Sequence, residues 1–458
     1  MKSASVELEG LARFVLDTKY EDLPPGVVND VKFFLMDSLG CGLTGVTTDP
    51  GKMFISLAKR LGGPQESSII GVSGKVSCVN AAMANGQLIN AIDYDSISGH
   101  TPPYIVPPAL AIAESIAASG KQLILAVALG LEITARLSKS LSRGSFMGGP
   151  GTAFKWATRS GYASHNFAVA ASVGKLIKLD LPQMLNAMGA AGHLNQVLTW
   201  IRYTFQDHRA MTKYGVPGWQ NTGGIIAALL AREGFIGDTT IFDPEEGFWK
   251  LAGYESWDGS NILPGLGKDW TFFNKIIYKP YPCCRMFQTE LDCFLKILDE
   301  KEIGAGEIEH VSILGHPTLE APAFTNRELK SIVDIQFNPA YTFAMAASRV
   351  PKGVDWQDLE IAASPEIQAL VKKIDYRTYP EYVAKQMSIV EVKARGKVFR
   401  EEKKFTELND LTEDELFAKF RHNAIRILTR DKIENTINSL LGLEKIKNIN
   451  ELTAHVTV

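Results

Sequence analysis

The chain is poor in cysteine: five occur in 458 residues, at Cys41, Cys78, Cys283, Cys284 and Cys293. An odd, sparse set of this kind builds no disulfide framework and is expected in a reducing cytoplasm. Zinc and iron–sulfur sites draw on repeated ligands a few residues apart. Here only Cys283 and Cys284 stand close, and neighbouring cysteines make a strained disulfide, so neither a metal nor a bridge is expected. Long apolar runs are missing too. None approaches the roughly 18 residues of a membrane span, and the opening "MKSASVELEGLARF" lacks the apolar stretch of a signal peptide. Charge of one sign is not in excess. The net value of -3 argues against bulk nucleic-acid or membrane-surface binding, while leaving room for a local cationic pocket. No Gly-rich phosphate loop follows a strand and no βαβ rhythm appears, which argues against a Rossmann domain.

What is present is ordinary globular material, 45% hydrophobic and 22% charged, long enough for two or three domains. Up to about residue 265 the pattern is helical. "LPPGVVNDVKFFLMDSLG" carries an amphipathic stripe behind prolines. "CVNAAMANGQLINAID" has the small residues of a tightly packed helix. "PPALAIAESIAASGKQLILAVALGLEITARL" reads as two helices broken at Gly120, and "NFAVAASVGKLIKLDLPQMLNAMGAAGH" and "GGIIAALLAREGFIG" are also helical. Near residue 270 the character changes. "FNKIIYKPYP", "IEHVSILGH", "SIVDIQF" and "MSIVEVKARGKVFREEKKF" carry strand signals, with "ARGK" as a hairpin turn. Helix returns at "LTEDELFAKF", with Thr412 as N-cap. The expected architecture is mainly α: an all-helical domain of residues 1–268 plus 406–458, and an inserted α+β lid of residues 269–405 with a cleft between them.

Four stretches place polar groups against apolar helices. In "INAIDYDSISGHTPPYIVPPAL", Asp93 or Asp95 could orient His100 as a base, or simply cap a helix. Lys213, in "MTKYGVPGWQ", could bind a carboxylate near a helix N-terminus, or be a solvated surface lysine. Lys279, in "YKPYPCCRMF", stands before a rigid Pro-Tyr-Pro placed at a strand end; Cys283 and Cys284 beside it read as small fillers, or as thiols in need of a distant partner. Tyr341 opens the helix after "DIQFNP", where its hydroxyl could serve an oxyanion or be a satisfied core group.

Together these stretches resemble the MmgE/PrpD family, which includes 2-methylcitrate dehydratases, cis-aconitate decarboxylases and iminodisuccinate epimerases. The resemblance is carried by "LMDSLGCGLTG" (35–45), "NAIDYD" (90–95), "GKQLILAVALGLEITARL" (120–137), "AREGFIGDTTIFDPEEGF" (231–248), "KPYPCCR" (279–285) and "DIQFNPAYTFAMA" (334–346), and it covers essentially the whole chain. It implies a helical domain with an α+β lid, a homodimer and no cofactor. It also implies catalytic roles for Asp93, His100, Lys213, Lys279 and Tyr341. The loop carrying His100 is shorter here than in the family. Some decarboxylases of the family have a histidine near the position of Arg159 and another at Cys284. Both departures argue against cis-aconitate decarboxylation and suggest substrate contacts for Arg159, as a carboxylate grip, and for Cys284.

The family's substrates share an acidic C–H beside a carboxylate. Its removal needs a positioned base, with cations or donors for the developing enolate. The expected activity is a cofactor-independent lyase of a small di- or tricarboxylate, most like a 2-methylcitrate dehydratase. An epimerase or racemase, a cis-aconitate decarboxylase and a non-catalytic metabolite-binding member stand as alternatives.

Overall fold

The computed structural model describes residues 4–97, 100–142, 161–196, 210–213, 215–274 and 276–458. It is mainly α-helical. Several helices follow local chemistry that can be read in the chain. Pro25 opens Pro25–Gly45, where its missing N–H costs nothing, and this helix is buried without interruption from Val31 to Gly45. Ser77 caps Cys78–Asn90 by accepting from the Asn80 N–H. Ser119 and Gln122 form a capping box at the start of Gly120–Ser140, as Asp180 and Gln183 do for Leu181–His193. With Pro102–Ser115, His165–Leu176 and Pro217–Arg232 these helices surround one continuous apolar core, drawn from residues 8 to 270 and again from 420 to 456.

Small residues let the helices approach closely, as their composition implies. A Cβ on Gly86 would lie 2.5 Å from Asn221 Nδ2 and 3.0 Å from the Pro103 carbonyl. The C-terminal segment docks in the same manner. The Gly120 N–H donates to the Ile446 carbonyl at 2.9 Å, and a Cβ there would fall 1.8 Å from the Leu443 carbonyl oxygen. Thr412 caps Glu413–Ala424 in a capping box with Glu415, the expected signal for the returning helices.

A second apolar core gathers residues from 281 to 405. Its sheet has the strand order Ile374–Thr378, Ile308–Gly315, Met387–Ala394, Lys397–Lys404; the first pair is parallel and the others antiparallel. The expected "ARGK" hairpin is present. Arg395 and Gly396 both have positive φ, 53° and 69°, as a two-residue turn between twisted strands requires.

Two expected strands are not strands. "FNKIIYKPYP" gives a 3-10 turn at Thr271–Asn274 followed by irregular chain, because Pro280 and Pro282 cannot donate to a ladder. "SIVDIQF" gives the short helix Ile332–Gln336, so Phe337 ends a helix. There the Asp334 carboxylate accepts from the N–H groups of Lys330 (2.9 Å) and Ser331 (2.8 Å), and Ser331 Oγ accepts from Val333 N–H (3.3 Å). Side-chain capping closes the turn before a β-partner can compete. Conversely, Ile374–Thr378, "IDYRT", is a strand that its sequence did not announce.

Gly120→Ala is expected to cost about 1–3 kcal/mol through this backbone clash. Urea unfolding of the variant against the parent chain measures it.

Candidate active site

The site forms where Cys78–Asn90 ends. The last carbonyls of any helix lack partners within it, and here the chain that follows is buried, with Asn90 and Asp93 fully excluded from solvent. Buried carbonyls must be satisfied, and side chains from elsewhere do it in succession. Lys213 Nζ donates to the Asn90 carbonyl at 2.7 Å. Gln336 Nε2 donates to Ala91 at 2.8 Å, and Gln357 Nε2 to Ile92. Lys279 Nζ donates to Asp93 at 2.7 Å, and Lys419 Nζ to Tyr94 at 2.8 Å. Three of these five donors are lysines, which also suits the negative end of a helix dipole.

The Asp93 carboxylate collects the charges. Lys279 Nζ lies 2.8 Å from Oδ2, Lys213 Nζ 3.7 Å from Oδ1, and His100 Nε2 3.9 Å from Oδ1. The other ring nitrogen, His100 Nδ1, is 3.2 Å from Asp95 Oδ2. Burial works against an ionised Asp93, yet Lys279, His100 and Lys213 hold its carboxyl well below the usual range. Burial likewise opposes charge on Lys279, but Asp93 and Asp95 raise it above an ordinary lysine. Lys213 is different. Burial dominates, Asp93 and Asp95 only partly offset it, and its ammonium is lowered to about 8. One carboxylate thus stands between a fixed cation and a lysine poised to change charge near neutral pH. The backbone is unusual at the same places: φ is 55° at Asp93, 51° at His100 and 47° at Lys213. Non-glycine residues occupy this left-handed region at a cost, and such residues cluster at functional sites.

Of the residues singled out from sequence, Asp93, His100, Lys213 and Lys279 come together, and Asp95 joins them. Lys213 meets the C-terminal end of one helix instead of the N-terminal end of the next. Lys279 is held in irregular chain, not at a strand end. Cys284 is buried, its N–H donating to the Gln336 carbonyl at 2.9 Å. Burial pushes the Cys283 thiol well up, which fits a packing role. Tyr341 belongs to the second core. Its hydroxyl donates to the Arg327 carbonyl at 3.0 Å and accepts from Gln368 Nε2 at 3.2 Å, bonds that lie among second-core groups. Arg159 lies outside the described residues. Among the described residues no group of three or more His, Cys, Asp and Glu side chains is placed to hold a metal ion, and no helix is long and apolar enough to cross a membrane.

The MmgE/PrpD N-terminal domain matches residues 9–257 and the MmgE/PrpD C-terminal domain residues 281–443. The chain belongs to the MmgE/PrpD family. Among its relatives, the cis-aconitate decarboxylase of Aspergillus terreus (strain NIH 2624 / FGSC A1156) is 25% identical over 292 residues, 60% of this chain and 57% of that protein. The chain therefore matches little more than half the length of that relative. The cis-aconitate decarboxylase-like protein oryM of Aspergillus oryzae is 23% identical over 490 residues, covering 98% and 96% of the two chains. The cis-aconitate decarboxylase of Homo sapiens is 22% identical over 473 residues, covering 97% and 93%.

Within this MmgE/PrpD chain, sequence reading missed the groups behind the charged cluster. Lys419, from Glu413–Ala424, donates to the Lys279 carbonyl at 3.1 Å as well as to Tyr94, pairs with Asp37 Oδ1 at 2.7 Å and lies 3.9 Å from the centre of the Tyr94 ring. It therefore ties the segments bearing Asp93 and Lys279 to Pro25–Gly45. Asp37 lies inside "LMDSLGCGLTG", so a buried acid in that motif was the available signal. His165 is a further neighbour: its Nε2 is 3.3 Å from Thr101 Oγ1, next to His100.

Lys419→Met leaves Asp37 buried without its cation and is expected to cost about 3–5 kcal/mol. Adding Asp37→Leu should return much of that stability. The double variant should still show kcat lowered on the order of 10-fold or more, since Tyr94 and Lys279 have lost their shared donor. Urea unfolding and steady-state kinetics on both variants check the two effects.

Proposed function

We propose that this protein is a cofactor-independent lyase that removes a proton alpha to a carboxylate of a small di- or tricarboxylate. The observation that carries the reading is the Asp93 carboxylate shared between Lys279, fixed as a cation, and Lys213, lowered to about 8. In this reading neutral Lys213 takes the proton, and Lys279 stabilises the negative charge that develops on the carboxylate as the C–H bond breaks. His100, oriented by Asp95, gives a proton to a departing hydroxyl, so that a C–O bond breaks, a C=C bond forms and water leaves. That is dehydration of the 2-methylcitrate type. Family membership supports the class of chemistry. The two apolar cores support the division into a helical body of residues 1–268 plus 406–458 and a lid of residues 269–405, with the charged cluster at their junction. A homodimer in the cytoplasm completes the proposal.

A second reading is favoured by the named relatives and by His165 beside Thr101 and His100. In decarboxylation the C–C bond to a carboxylate breaks, CO2 leaves, and the electron pair takes a proton from one of these groups. Return of the proton to the opposite face, with nothing lost, would instead be epimerisation.

The protein is to be incubated in D2O with 2-methylcitrate, citrate, cis-aconitate and iminodisuccinate, each followed by NMR. Water loss assigns dehydration, CO2 loss assigns decarboxylation, and deuterium at the α carbon with neither water nor CO2 lost assigns epimerisation. No turnover and no exchange with any of the four would sink the reading.

Because Lys213 acts unprotonated, kcat/KM should rise with pH through about 8 and then level. Lys213→Arg cannot lose its proton and should be slower by at least about 10²-fold across the range. The same shift bears on stability. The folded value lies below that of an ordinary lysine, so the unfolded chain binds the extra proton above about pH 8, and the stability contributed by Lys213 rises with pH from there toward 10.5. A pH–rate profile of the two proteins and urea midpoints at pH 7.5 and 9.5 test both signs.

A further inference from the structure

Two stretches of irregular chain, residues 92–97 and 277–282, carry Asp93 and Lys279, and they run antiparallel. The Ile97 N–H donates to the Ile277 carbonyl at 2.8 Å. The Tyr94 hydroxyl donates to the Pro280 carbonyl at 3.4 Å, and Lys419 Nζ donates to both the Tyr94 and the Lys279 carbonyls. At the far end Gln357 Nε2 donates to the Ile92 carbonyl and, at 2.9 Å, to the Pro282 carbonyl. The pairing steps up one stretch as it steps down the other. A regular β-ladder is blocked, because Pro280 and Pro282 have no N–H to give. Side-chain nitrogens set between facing carbonyls take the place of the missing bonds.

Asp93 lies between the bridged residues Ile92 and Tyr94, with Lys279 opposite. A lysine side chain is long and flexible, and could meet a carboxylate from many backbone placements. The ion pair alone therefore does not fix how the two stretches lie; the bridges do. The two bridges differ in kind. Lys419 brings a charge and its own acid, Asp37. Gln357 brings no charge, and it is 1% exposed.

The Gln357 amide has one orientation that satisfies its neighbours. Gln336, fully buried at the end of Ile332–Gln336, donates through Nε2 to Gln357 Oε1 at 2.7 Å and to the Ala91 carbonyl at 2.8 Å. Both hydrogens of each amide are thereby used. A reversed Gln357 amide would set an oxygen against two carbonyls. Beside it, Trp356 stacks on Tyr281 with ring centroids 6.0 Å apart and 11° between the planes. The turn Val354–Gln357 thus packs on the same Pro-Tyr-Pro that follows Lys279.

We propose that Gln357, with its amide oriented by Gln336, is a positioning residue of this site: it holds the Asp93 and Lys279 stretches in register, so that Lys279 keeps its contact with Asp93 while Lys213 stands off. The effect on turnover rests on the lyase reading above; the effect on the lysines does not.

The test compares the full chain with Gln357→Leu, Gln336→Leu and the double variant. Gly120→Ala serves as control, since its backbone clash lies at the docked C-terminal segment. Lys213 is titrated by NMR of isotope-labelled lysine, its signal identified by its loss in Lys213→Arg. Gln357→Leu is expected to lower kcat about 10-fold or more while KM changes less than about 3-fold. It should also move the Lys213 midpoint up by about half a pH unit or more, because looser packing admits water to a group lowered chiefly by burial. The double variant should be about as slow as the slower single one, as expected of groups that act as a unit. Gly120→Ala should move neither kcat nor the midpoint. If Gln357→Leu does not fold, Gln336→Leu carries the same readouts, since it keeps the amide that bonds Ile92 and Pro282. An unmoved midpoint, or an unmoved kcat in an active parent, overturns the assignment while the lyase reading stands. So does an equal effect in Gly120→Ala, which would mark a general loss of stability. Fully additive losses in the double variant overturn the orienting role of Gln336. If the parent turns over none of the four acids named above, the lyase reading falls, and the Lys213 midpoint still decides the role of Gln357.

Discussion

Five buried carbonyls in a row, from Asn90 to Tyr94, constrain the rest of this molecule. Once Cys78–Asn90 ends inside the protein, each needs a donor, and no local backbone supplies enough of them. The donors come from Lys213, Gln336, Gln357, Lys279 and Lys419. Two of the five belong to the part of the chain that builds the second apolar core, so satisfying this one strand of backbone joins the two cores. The charged cluster is a consequence of that arrangement: lysines drawn in by carbonyls arrive beside the Asp93 side chain.

The electrostatics then follow from small differences in geometry. Lys279 touches Asp93 directly and is held as a cation; Lys213 is nearly an ångström further away, so burial weighs more heavily on it. Two residues of one type, near one carboxylate, acquire opposite tendencies. Positive φ at Asp93, His100 and Lys213 places the strain at this same point. The bonds from Lys213 to the Asn90 carbonyl and from Lys279 to the Asp93 carbonyl act on the same segments.

Support for the site is layered. Asp37 and Lys419 stand behind the charged cluster and couple Pro25–Gly45 and Glu413–Ala424 to the segments carrying Asp93 and Lys279. Arg285 differs in kind: it lies over the Phe405 ring, and among the described residues its buried Nε has no hydrogen-bond partner.

By itself the sequence determined the mainly helical character, the Thr412 cap, the "ARGK" hairpin, and the family motifs that contain Asp93 and Lys279. These are local: periodicity, caps and turn residues act over a few positions, and motif residues can be matched one by one. It misjudged "FNKIIYKPYP" and "SIVDIQF", where β-branched residues suggested strands but prolines and the Asp334 cap decided the backbone. Only the tertiary structure brought Lys279 to Asp93 across 186 residues, and Lys419 to Tyr94 across 325. It alone bonded the Tyr341 hydroxyl to the Arg327 carbonyl and separated the tendencies of two lysines. Such outcomes depend on burial and on distances of a few ångströms between segments far apart in the chain, and no local pattern of residues encodes either.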